Sequence, residues 1–191
     1  SIDCAGALVV DTTSTLTGNI TTAGHLIGAQ RGEIVRQSAA AGWNDGDYAL
    51  TVGQSGAIIL LDKNEATAVT LPAVTAADIG ITYLFVETVA SALDRTINTK
   101  YDNDYWVGGV ANLPTAAENG AKVFVAAGAT DVQITFDDNL ANGAGALGSW
   151  VRVTAVLTGN TGAGGGAKLV WLVEGTMGTA DPNGDGTAIF T

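Results

Sequence analysis

Histidine and cysteine are almost missing from this chain of 191 residues, each occurring once, as His25 and Cys4. A lone cysteine forms no intramolecular disulfide, so the fold must be held by packing or by assembly. A lone histidine leaves no Ser-His-Asp or Cys-His arrangement except one built around it, and it excludes His-rich zinc sites. Positive charge is scarce as well. Eight Lys and Arg stand against nineteen Asp and Glu, for a net charge of -11 and a pI near 4.1. Phosphate recognition needs clustered cations, so nucleic acid is excluded as a partner. Charge of either sign covers only 14% of the residues, against roughly 25% in an ordinary domain. A surface so thinly charged suits a protein packed against copies of itself or a partner. No apolar run approaches the roughly 20 residues of a membrane helix, and the expected chain is soluble, with no membrane partner.

Helical periodicity is the next absence. Apolar residues nowhere recur at the helical interval for three turns, and only "TAADIG" and "TAAEN" could form a single turn. What is present is strand after strand. From Tyr48 onward come "YALTV", "AIILLD", "AVTLP", "ITYLFVETV", "RTINT", "WVGGV", "AKVFVAA", "VQITF", "SWVRVTAVL", "KLVWLVEGTM" and "TAIFT", rich in β-branched and aromatic residues and bounded by Gly, Asn, Asp or Pro. Residues 1–40 alternate more loosely, with Thr and Gly throughout. The pattern predicts an all-β fold: an extended N-terminal arm over residues 1–40, then an antiparallel β-sandwich or jelly-roll-like domain over residues 41–191.

The motifs that could carry chemistry are few. The Gly-rich run from Gly159 to Gly166 lacks the Gly-Lys-Ser/Thr ending of a phosphate loop and precedes a strand, so it reads as the tip of a hairpin joining "VRVTAVL" to "KLVWLVEG". Asp181, Asn183 and Asp185 in "DPNGDG" stand at the first, third and fifth places of a calcium loop. The twelfth-place acid and the flanking helices are missing, so a turn stabilised by Asp and Asn side chains is favoured over the calcium reading. No cofactor is expected, with calcium the one left open. The acidic pairs Asp45 and Asp47, Asp102 and Asp104, and Asp137 and Asp138 sit in turn-like contexts; held at the right separation, two carboxylates could hydrolyse a glycosidic bond. Asn19-Ile20-Thr21 matches a glycosylation acceptor that arises often by chance. Among the tryptophans, Trp150 and Trp171 fall in apolar strand patterns and are expected in the core. Trp106, in "YDNDYWVGG", is expected at the surface, where it could stack on a sugar.

The stretch "LTVGQSGAIILLDKNEATAVTLPAVTAADIGITYLFVETVAS" resembles a module of tailed-bacteriophage virion proteins, in which a Ser-Gly start, a Thr-Leu-Pro step, a Gly-containing turn and a Tyr-x-Phe-Val strand follow one another. The matching residues are Ser55, Gly56, Thr70, Leu71, Pro72, Gly80, Tyr83, Phe85 and Val86. The Trp171-x-Val173-x-Gly175 strand is similar to the way such proteins close, and "TLTGNITTAGHLIGAQ" is similar to strand-repeat segments of phage fibres and head-decorating proteins.

The resemblance implies a non-enzymatic virion protein, on the capsid surface, that decorates or cements the outer shell. Its partners would be the major capsid protein and copies of itself, with a homotrimer expected. Two alternatives stay open: a fibre-type host-recognition module that binds glycans through Trp106 and loop carboxylates, and a virion-associated glycan hydrolase using Asp137 and Asp138.

Overall fold

Burial alternates residue by residue along most of the strands. In a computed structural model that describes residues 33–38, 43, 47–89, 93–101, 105–114, 122–126, 131–136, 146–157, 169–179 and 190, "TYLFVE" buries Tyr83, Phe85 and Glu87 on one face and turns Thr82, Leu84 and Val86 to the other. "WVRVTAVL" does the same with Val151, Val153 and Ala155. The chain divides into two units, Ser1–Arg31 and Gly32–Thr191, and every described residue lies in the second.

Eleven strands are described: β1 (Ile34–Arg36), β2 (Tyr48–Ala49), β3 (Ile58–Leu61), β4 (Thr67–Thr70), β5 (Thr82–Glu87), β6 (Arg95–Asn98), β7 (Trp106–Pro114), β8 (Lys122–Val125), β9 (Gln133–Phe136), β10 (Trp150–Leu157) and β11 (Leu169–Thr179). Helical structure among these residues is limited to two short 3₁₀ turns, Val52–Gln54 and Ala76–Asp78. The second is the turn expected in "TAADIG", where the Thr75 hydroxyl and backbone N–H both donate to Asp78 at 2.7 Å. The fold is all-β, as expected. β1 falls within residues 1–40, the stretch expected as an arm, and pairs with β3 at one edge of the larger sheet.

The strands form a seven-stranded sheet in the order β1-β3-β5-β10-β11-β7-β8 and a four-stranded sheet in the order β2-β4-β6-β9. The expected antiparallel pairing needs correction, because both sheets are mixed. Five of the nine strand pairs among the described residues are parallel, and four are antiparallel. The reason lies in the chain path. The first six strands alternate between the two sheets, so each returns to its own sheet in the direction of the strand before it. The hairpin reading of "VRVTAVL" and "KLVWLVEG" holds, with β10 and β11 antiparallel over eight residue pairs.

Inner faces of both sheets supply one apolar core. Val35, Ile59, Phe85, Val151 and Val110 line up across the seven-stranded sheet, and Val69, Ile97 and Ile134 across the other. Trp43 stacks on Tyr48 with centroids 4.7 Å apart and donates its indole N–H to Thr67 at 2.8 Å. Phe190 makes an antiparallel bridge with Ile134 of β9, so the last described residue of "TAIFT" meets the smaller sheet of its own chain. Two glycines permit close strand approach. A Cβ at Gly175 would lie 2.4 Å from the Trp150 carbonyl oxygen, and one at Gly108, whose φ is +108°, would lie 2.2 Å from that of Val173. The Trp-x-Val-x-Gly pattern thereby gains a physical reason: Trp171 and Val173 fill the core, and Gly175 lets β10 lie against β11.

Candidate functional site

The outward faces of the two sheets differ in kind. On the four-stranded sheet, the outward positions hold Ala49, Ala68, Thr70, Thr96, Asn98, Gln133 and Thr135, with Gln133 donating to Asn98 at 2.8 Å and Asn98 to Thr96 at 3.4 Å. That face is built for water. Across the seven-stranded sheet, one outward row reads Ile34, Ile58, Leu84, Arg152, Glu174, Gly109, Val125, and the next reads Arg36, Leu60, Val86, Trp150, Thr176, Ala111, Val123. Ile34, Val123 and Val125 are 61%, 67% and 71% exposed. Continuous apolar runs such as "IILL" and "YLFV" produce this face, because a strand apolar at every position presents apolar residues on both sides.

Charge on the apolar face is sparse and paired. Arg152 donates to Glu174 across β10 and β11 at 3.1 Å, in the middle of the sheet, with the side chains 49% and 57% exposed. At one edge, Arg36 donates to Asp62 at 2.7 Å, and Ser38 adds its N–H at 2.7 Å and its hydroxyl at 2.6 Å. Burial pushes the Asp62 carboxyl up, but the bonds from Ser38 and Arg36 outweigh it and hold its pKa below the ordinary aspartate value. Asp78 is also held low, by its two bonds from Thr75.

A shallow groove of about 410 Å³ lies on this face beside the two glycine turns, between Gly56, Ile58, Gly80, Thr82, Leu84, Arg152 and Thr154. Gly56 donates its N–H to Thr82 at 2.7 Å and Gly80 donates to Ala155 at 2.8 Å, which clamps both turns to the sheet. The hydroxyls in the groove are engaged: Thr82 donates to the Val153 carbonyl at 3.0 Å and Thr154 to Thr82 at 3.2 Å. The module on which the phage resemblance rests spans both sheets, with β3 and β5 in the larger and β4 in the smaller. Ser55 and Gly56 open it, Tyr83 and Phe85 anchor it in the core, and Val86 faces outward.

Two tryptophan expectations are corrected. Trp106 is fully buried, because its register opposite Trp171 turns it into the core rather than toward the neighbouring loop. Trp150 is half-buried on the outward face between Val86 and Thr176, because β10 alternates so that Val151 and Val153 take the inward places. Asp47 is exposed. Asp181, Asn183 and Asp185, like Cys4, His25, the Asn19 acceptor, Asp45, the pairs Asp102/Asp104 and Asp137/Asp138, and the Gly-rich run, lie outside the described residues. Among the described residues, no three His, Cys, Asp or Glu side chains come together, and no helix is long and apolar enough to cross a membrane.

The sequence reading missed the Arg152 and Glu174 pair and the breadth of the apolar face around it. The signal was there, in strands apolar at both alternating sets of positions, but the register that lines them up was not. No family model, curated protein or solved structure matches the chain.

Proposed function

We propose that this protein is a non-enzymatic structural protein that decorates or cements the outer surface of a phage capsid as a homo-oligomer. The observation that carries the assembly part is the contrast between the two sheets: polar Thr, Asn and Gln face outward on one, and Ile, Leu, Val and Trp face outward on the other. Exposed apolar patches of more than a few hundred Å² mark interaction sites on soluble proteins. The capsid as destination rests on the resemblance of residues 50–91 and of the Trp171 strand to phage virion proteins. In mechanism, apolar sheet area is buried against sister subunits and shell, and many weak copies of the contact add up to a firm coat.

Capsids lacking the protein test this reading. Purified protein is expected to co-sediment with them and to raise their melting temperature. Binding to tails and not to heads would overturn it. The glycan-binding alternative loses Trp106, which lies in the core, and would rest on the loop carboxylates alone.

A further inference from the structure

We infer that the outer face of the seven-stranded sheet is the contact surface for a second copy of this chain, docked about a two-fold axis that runs between β10 and β11. The inference rests on reading this face as an assembly surface, and it holds with or without a capsid.

Each copy carries a net charge of -11, so two copies repel least where they meet through a face whose own charges cancel. This face does cancel, because Arg152 sits against Glu174, and Arg36 against Asp62.

Arg152 and Glu174 sit on either side of that axis. They are direct cross-strand partners on the fourth and fifth strands of seven, flanked in their row by Leu84 on one side and Gly109 on the other. An axis lying in the interface, parallel to the strands and midway between β10 and β11, carries each strand position to its mirror place on the facing sheet. Arg152 of one copy then faces Glu174 of the other, and the same contact repeats in reverse. This is the isologous pattern of a two-fold interface. As an exposed pair in one chain, the two charges contribute little stability. Enclosed between two apolar sheets, they set the register of docking.

Because the axis lies between the fourth and fifth of the seven strands, six strands meet and β1 overhangs. Six strands about five residues deep cover roughly 475 Å² at ordinary strand spacings, so two faces together remove roughly 950 Å² from water, the size of a weak, transient interface.

The test is sedimentation velocity on the native chain and two variants, with no capsid present. The native chain is expected to form a dimer with mass-action dependence on concentration. Arg152→Glu and Glu174→Arg, each folded by circular dichroism, should each associate at least about tenfold more weakly. Mixed one to one, they should form a heterodimer, because in the mixture every facing pair is again of opposite sign. A native chain that stays monomeric, a three-fold assembly, or variants that mixing fails to rescue would overturn the inference. A monomer would mean that the central charges serve to keep the apolar face in water. Failure of the capsid-binding experiment with dimerisation intact would strike only the proposed destination.

Discussion

Arg95 on β6 and Glu87 on β5 form an ion pair through the core, each side chain 1% exposed, and the pair ties the smaller sheet to the larger. Arg95 also donates to the carbonyl oxygens of Val89 and Lys63, so a single guanidinium holds the two segments flanking it. Removing one partner of such a pair leaves a charge buried without its counterion. Arg95→Met should lower unfolding stability by about 3–5 kcal/mol in urea titration, and Glu87→Met/Arg95→Met should recover much of that loss. A double variant as unstable as the sum of the two single variants would contradict the coupling.

Gly108 and Gly56 separate backbone freedom from space. Both have positive φ, but a Cβ at Gly56 meets nothing within 4 Å, and one at Gly108 meets the Val173 carbonyl oxygen at 2.2 Å. Gly56→Ala should cost about 1–2 kcal/mol, the left-handed penalty alone. Gly108→Ala should cost clearly more, because β7 must move off β11. Thermal unfolding of both variants makes the comparison.

Tyr83 donates its hydroxyl to the Thr51 carbonyl oxygen at 2.8 Å. Burial, with a smaller contribution from the Asp78 charge, pushes its pKa from 10.0 up to about 12. The neutral form is favoured in the folded state, so this contribution to stability is complete below pH 10 and is lost as pH rises from there through about 12. In a phenolate absorbance titration, Tyr83 should ionise late. Tyr83→Phe should remove that late step and flatten the alkaline loss of stability.

Asp62 behaves oppositely. Its lowered pKa means that its contribution is present above the ordinary value of 3.8 and is lost as pH falls through the lower folded value. The bonds concerned fasten β1 to the turn after β3. Asp62→Asn should therefore speed amide hydrogen exchange at Val35–Gln37 at neutral pH and leave β10 unchanged.

Among the four tryptophans, Trp43, Trp106 and Trp171 are buried at 4%, 0% and 0% exposure, and Trp150 is on the outward face. Iodide should quench one emission component, and Trp150→Phe should abolish it. Dimerisation through the proposed face should shield that component as concentration rises. Trp106→Ala should lose about 3–5 kcal/mol as a core truncation.

Strand existence was legible from β-branched and aromatic runs, and where polar neighbours flank an apolar residue, as at Ile134 and Val153, they also announce its inward place. Trp106 and Trp150 were misplaced for one shared reason. Each stands at the start of a strand, where a local pattern gives no phase, and only pairing with Trp171 or Val86 decides which way it turns. Parallel neighbours were illegible for a related reason. Nothing local in Ile58 names Ile34 and Leu84 as its partners, since the match depends on a full circuit of chain through the other sheet. The candidate surface belongs to this second kind of information, because Arg152 and Glu174 become neighbours only through register.

β11 is the last strand in the chain to join the seven-stranded sheet, yet it sits between β10 and β7. Until it arrives, the larger sheet exists as two fragments, and Arg152 has no Glu174 beside it. During synthesis, the charged pair proposed to set the register of self-association is therefore completed at the end, when β11 joins.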